Sequence, residues 1–173
     1  MTKCAIRPER PADQTAIRRV NDAAFGRPAE GTLVDALRLS PSFIPELSLV
    51  AEQGAQIVGH ILFTRLTVTD AGVARPALAL APMAVLPAFQ NRGIGSALVR
   101  QGLENARKLG HRVVIVLGHP KYYPRFGFQV ARSFGIRSPF RSPDEAFLAL
   151  ALQAGALDGF RGLVEYPPEF SLV

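Results

Sequence analysis

The run Gln90-Asn-Arg-Gly-Ile-Gly-Ser96 is where residue types and spacing in this chain point most directly to chemistry. Two glycines one residue apart, with Arg92 just before them, follow an apolar run and open a segment of helical periodicity. Such a loop presents free N–H groups and the positive end of a helix dipole, and Arg92 adds a full charge. That combination suits an anion, above all a phosphate. A P-loop would carry Lys and Ser/Thr directly after the second glycine, where Ser96-Ala97 stand. The dinucleotide fingerprint would need a third glycine where Leu98 stands, so neither motif applies. A tight turn whose glycines serve packing alone is the competing reading.

The segments that hold this loop in place can be read on either side of it. Ala77 to Leu86 is an apolar run that predicts a strand buried on both faces, with Pro82 inside it. Proline has no N–H for a sheet ladder, so it marks an edge, a bulge or a place where pairing stops. After the loop, Ile94, Leu98, Val99, Leu103, Ala106 and Leu109 share one side of a helix and Ser96, Arg100, Glu104, Arg107 and Lys108 the other. Gly110 stands where a left-handed C-terminal cap belongs.

In chain order, Cys4–Arg7 predicts a short strand, Pro11–Phe25 a helix with proline in its first turn, and Glu30–Leu39 a second helix. Ser40–Pro45 reads as loop. Leu47–Gln53 and Gln56–Val68 read as strands joined across Gly54-Ala55. Arg112–Leu117 is an internal strand, which makes one β-α-β crossover with the strand and helix before it. A short helix over Lys121–Phe126, strands at Phe128–Val130 and Ala146–Leu152, and a loop-like tail from Asp158 complete the reading.

The loop resembles the CoA-binding motif of the GCN5-related N-acetyltransferases, Gln/Arg-x-x-Gly-x-Gly/Ala after a strand and at the opening of a helix. Gln90, Gly93 and Gly95 fit it, with Arg92 in its variable place. Tyr123-Pro-Arg-Phe-Gly-Phe128 is similar to a second motif of that family, Tyr-x-x-x-Gly-Phe, at the matching order and separation. The longer run Leu117–Phe128 looks like the YhbS-like subgroup of predicted acetyltransferases. The resemblance covers about residues 4 to 152 and is strongest from 78 to 128.

It implies a mixed α/β fold, a central splayed and mostly antiparallel sheet flanked by helices. It implies one domain over residues 1–173, with a core over 4–152 and a C-terminal tail over 153–173. Acetyl-CoA is the implied cofactor and CoA the product. Gln90, Asn91, Arg92, Gly93, Ile94, Gly95 and Ser96 are expected at the diphosphate, and the backbone of Met83, Ala84 and Val85 along the pantetheine arm. Tyr123 is the expected proton donor to the leaving thiolate; packing beside Phe126 and Phe128 is the alternative for it, and the favoured reading for Tyr122. Glu52, His60, His119 and Glu145 are candidates for the general base, with His119 the best placed and His60 reading more readily as a core histidine. Arg27 and Glu30 resemble acceptor-contacting positions, with helix capping as an equal reading. Many relatives carry an asparagine where Gly118-His119-Pro120 stands here, so that contact to the pantetheine is not expected.

Composition bounds the partners. The chain has 173 residues, 48% hydrophobic and 20% charged, with one cysteine, so neither an internal disulfide nor a cysteine zinc cage is available. The net charge of +6 raises nucleic acid as a partner. All but three of the 20 basic residues are arginines, scattered without a basic run, and Arg132, Arg137 and Arg141 come closest to a cluster. Nucleic acid is therefore not expected, and a basic cleft equally suits the charges of CoA. Without a targeting or membrane-spanning run the expected location is cytoplasmic. The expected function is transfer of the acetyl group of acetyl-CoA to a primary amine, on a small molecule or a protein. A non-catalytic module that binds CoA or acyl-CoA is the alternative, and a homodimer is what the family often forms.

Overall fold

Glycine-centred reversals and long apolar runs set out the sheet. Gly54 and the pair Ala71-Gly72 take positive φ and separate three strands: β2 (Phe43–Gln53), β3 (Gln56–Asp70) and β4 (Val73–Val85). The computed structural model describes residues 3–173, and among these nine strands and three α-helices form a mixed, mostly antiparallel sheet with helices. Two compact units make up the chain, which passes between them within β3, within β4, within the third helix and at Pro167-Pro168.

The first unit holds the described residues up to Thr64, with Ala81–Asn105 and Pro168–Val173. β1 (Ala5–Pro8) pairs antiparallel with β2, and β2 with β3, with Val50 opposite His60. α1 (Gln14–Phe25) and α2 (Ala29–Arg38) bury Ile17, Val20, Leu33, Val34 and Leu37 completely or nearly so. α3 (Ile94–Lys108) lies close on β3. A side chain at Gly59 would press on Leu98 and Ile94, and one at Gly102 would overlap the ring of Phe63. The helix reaches this distance only because residues 59 and 102 lack side chains. Burying Leu98 and Phe63 at zero exposure there contributes roughly 1.5–3 kcal/mol for each side chain.

The second unit is Arg65–Leu80 with Ala106–Pro167. β4 pairs parallel with β5 (Val113–Leu117), and this pairing is confined to Leu78 and Ala79, ending short of Pro82. β5 pairs with β8 (Phe147–Ala151), and β8 with β6 (Gln129–Val130). α3 ends in a Schellman motif, with the N–H of Gly110 bonded to Arg107 and that of His111 to Ala106. Leu109 lies beyond the last helical residue and is exposed rather than inward, because the left-handed Gly110 ends the helical register there.

Two short strands depart from the sequence expectation. β7 (Ile136–Arg137) and β9 (Gly162–Glu165) pair parallel with each other, and β9 pairs antiparallel with Thr67–Thr69 of β3. The segment from Asp158 is thus partly sheet, not tail. Gly162 seats β9 at a positive φ, where a Cβ would strike the carbonyl of Thr69. The final 3-10 turn, Pro168–Leu172, buries Phe170 and contacts α2. β2 begins four residues earlier than Leu47 because the chain pairs again beyond a register shift between Phe43 and Ser48.

Candidate active site

The glycine loop is built by what surrounds it. Leu86 donates to the carbonyl of Val58, and a 3-10 turn, Pro87–Phe89, follows. Gln90 reaches back with its side-chain amide to the carbonyl of Val85 at 3.0 Å, tying the loop to the end of β4. Asn91 and Gly93 both have positive φ, 61° and 81°. The carbonyl of Gly93 accepts the first helical bond, from Ala97, so Gly93 is the N-cap residue of α3. A glycine at that place has no side-chain oxygen to cover the first-turn N–H groups. Nothing lies within 4 Å of where its Cβ would be, so the loop's outer face is open. Arg92 is exposed and its guanidinium sits 5.3 Å from the centre of the Phe89 ring. Gly93, Gly95 and Arg92 therefore present N–H donors and a cation at an open helix start, which fits a diphosphate. Met83 is half-buried, while Ala84 and Val85 are buried just before the loop.

In the second unit, the carbonyl of His119 accepts from the N–H groups of Tyr122 and Tyr123, opening the 3-10 turn Tyr123–Phe126. Gly127, at φ 100°, closes that turn. Tyr123 is 7% exposed, edge-on to Tyr122 at 5.1 Å and to Phe128 at 5.6 Å. Its ring also occupies the space where a side chain on Gly118 would stand. Burial raises the pKa of its phenol above the usual value near 10, with the neighbouring Tyr122 adding to the shift. The hydroxyl therefore stays protonated well into the alkaline range. His119 is exposed beside this turn.

Glu30 is buried at the start of α2 and accepts from the exposed Arg27, an i,i+3 ion pair. Glu52 accepts from Arg7 at 3.0 Å. Glu145 is exposed. Cys4 is half-buried, and burial raises its thiol pKa, which disfavours the thiolate.

His60 is fully buried and bridges three elements. Its Nδ1 lies 3.3 Å from the amide nitrogen of Asn21, and its Nε2 lies 3.0 Å from Ser48 Oγ. Ser48 in turn donates to Glu9 at 2.6 Å, and Arg38 holds Glu9 at 2.7 Å. Since Asn21 can only donate from that nitrogen, Nδ1 is the acceptor and Nε2 carries the proton. Ser48 and His60 have the spacing of a nucleophile and its base, but both have zero exposure and no substrate reaches them. Loss of water lowers the pKa of His60 to about 3, and the charge of Arg38 adds to this. The unfolded imidazole protonates near pH 6.5 while the folded one does not. The stability contributed by a neutral His60 is therefore intact above about pH 6.5 and is lost as the pH falls toward 3. In urea titrations between pH 7 and pH 4, His60→Gln flattens the decline of stability with acid by up to about 3 kcal/mol relative to the parent.

Sequence spacing carried no sign of the meeting of Glu9, Asn21, Ser48 and His60, because each comes from a different element. It also did not show that Arg132 and Arg137 line a cavity. No group of metal-ligating side chains lies together among the described residues, and no described helix is long and apolar enough to cross a membrane.

Known proteins match this arrangement closely. Residues 5–131 match the acetyltransferase (GNAT) domain family. The uncharacterized N-acetyltransferase YjhQ of Escherichia coli is 42% identical over 135 residues, 78% of this chain and 75% of that protein. The uncharacterized N-acetyltransferase YhbS of Escherichia coli is 34% identical over 167 residues, covering 96% of this chain and 98% of its own. A crystal structure of YhbS in complex with CoA superposes with a TM-score of 0.92 at 31% identity, over 99% of this chain and 93% of that one. A GNAT acetyltransferase from Brucella melitensis in complex with acetyl-CoA gives 0.80 at 36% identity, over 98% and 99%. On this family match and these two relatives together, the chain belongs to the GCN5-related N-acetyltransferases.

Proposed function

We propose that this chain transfers the acetyl group of acetyl-CoA to a primary amine by direct attack within a ternary complex. The observation that carries this reading is the open glycine loop at the start of α3, in a chain whose solved relatives are bound to CoA and acetyl-CoA. When bound, acetyl-CoA supplies an activated acetyl thioester. The backbone N–H groups from Asn91 to Ser96 hold the diphosphate, helped by the charge of Arg92. Gln90 acts through its bond to Val85, fixing the loop on the strand whose residues Met83, Ala84 and Val85 offer backbone groups to the pantetheine amides.

Tyr123 hands its phenolic proton to the sulfur as the carbon–sulfur bond breaks, and His119 accepts the proton that the attacking amine gives up. A phenol with a raised pKa suits the first role in one respect: it is reliably protonated when the thiolate leaves. Arg27 and Glu30 contact the acceptor. A covalent acetyl-enzyme is disfavoured because the one cysteine has a raised pKa and the Ser48–His60 pair is fully buried.

The test is a screen of primary amines with acetyl-CoA, reading the release of free thiol, followed by initial rates with both substrates varied. Intersecting double-reciprocal lines are expected. Parallel lines would replace direct transfer by a covalent intermediate, and tight acetyl-CoA binding without turnover on any amine would leave a CoA-binding module.

A further inference from the structure

A cavity of about 270 Å³ lies in the second unit, among β7, the 3-10 turns on either side of it and the start of β8. Its size is just below the usual range of about 300–1,000 Å³ for small-molecule sites, which suits a small metabolite. Ile136, Phe140 and Phe147 form an apolar wall, and the half-exposed Phe140 is backed by Tyr166 with ring centres 5.0 Å apart.

The polar lining is cationic. Arg132 is held by both oxygens of Asp144, at 3.0 and 3.3 Å, so its charge is offset. Arg137 also lines the cavity, with no ion pair or hydrogen bond to its guanidinium among the described residues. Ser138 accepts from the N–H of Phe140 and keeps its own hydroxyl proton to donate, and Ser142 adds a second hydroxyl. One uncompensated guanidinium with two hydroxyls matches a monoanion of planar, two-oxygen geometry, a carboxylate, better than a dianionic phosphate.

The cavity also shares one end of the β5–β8 ladder with the turn that carries Tyr123. Phe147, in its wall, pairs across the sheet with Leu117, and the next residue, Gly118, donates to the carbonyl of Ala146 at 2.9 Å. The Tyr123 ring covers that same Gly118. An anchor for one end of a small molecule thus stands at the end of the ladder where the Tyr123 turn begins, across the sheet from the Tyr123 ring itself.

We infer that this cavity is the acceptor's anchor and that the acceptor is a small amine bearing a carboxylate and an apolar side chain, with Arg137 binding the carboxylate. The inference rests on the acetyltransferase reading for the word acceptor, but the anchor itself is tested without turnover. The N-acetyl derivatives of phenylalanine, leucine and alanine, and the carboxamide of each, are titrated calorimetrically into the protein with and without CoA. Within a pair only the carboxylate differs.

At least one acid is expected to bind about tenfold or more tighter than its amide, the scale of one charge-assisted bidentate contact. Arg137→Ala should abolish that preference and Arg137→Lys should keep part of it, with the acetyl-CoA affinity and the melting temperature unchanged, since Arg137 is an exposed strand residue. No preference in any of the three pairs, or a preference that survives Arg137→Ala, overturns the inference. Failure of the acetyltransferase reading shows itself separately, as absent acetyl-CoA binding in the same instrument.

Discussion

Tyr123→Phe lowers kcat about a hundredfold and leaves the dissociation constant for acetyl-CoA within a factor of two, the low end of what a positioned proton donor supplies. The ring is packed on Gly118, Tyr122 and Phe128, so phenylalanine keeps those edge-on contacts and removes only the hydroxyl. A merely structural tyrosine would show the opposite pattern, with little change in kcat. The pH profile gives a second readout. Because burial raises the pKa of Tyr123, the parent enzyme keeps its donor protonated and shows no alkaline fall in kcat from this group below about pH 10. A descending limb near pH 8–9 that vanishes in Tyr123→Phe would contradict the assignment of its environment.

Gly93→Val raises the dissociation constant for acetyl-CoA by about a hundredfold or more. Two effects combine there. Valine is strained at φ 81°, a cost of order 1–3 kcal/mol for a β-branched residue, which the loop relieves by moving its N–H groups. Its side chain also fills the open face over which the diphosphate would lie. The check is thermal: saturating acetyl-CoA raises the melting temperature of the parent by several degrees, and this rise is absent in the variant. Arg92→Ala is the milder companion, since its guanidinium is exposed and screened by water.

Much of this fold could be read locally. The strand, glycine loop and helix around Gly93 carry their own period and caps, and five of the six inward positions named for α3, Ile94, Leu98, Val99, Leu103 and Ala106, are buried. The sixth, Leu109, is exposed because the helix had already ended. β7 and β9 were invisible for a different reason. A two-residue strand has no periodicity, and β9 owes its existence to Thr67–Thr69, almost a hundred residues earlier in the chain. The early start of β2 was hidden by Pro45, which reads as a breaker although the chain resumes pairing on its far side.

The chemistry divides in the same way. The donors of the glycine loop are consecutive and announce themselves. The surroundings of Tyr123 and His60 do not, since Gly118 and Phe128, or Asn21, Ser48 and Glu9, meet them only through the fold. In the sequence Arg137 stands only as one of three loosely spaced arginines, with Arg132 and Arg141. Its significance lies in what stands around it: Phe140, Ser142 and a neighbour already paired to Asp144.

The measurement that bears most directly on the whole account is calorimetric titration of the protein with acetyl-CoA, with ATP as the control anion. One acetyl-CoA per chain at micromolar affinity, with ATP at least a hundredfold weaker, is the predicted result. Heat indistinguishable from dilution with acetyl-CoA, or ATP binding equally well, would reduce the loop at Gly93 to a packing turn or a general anion site.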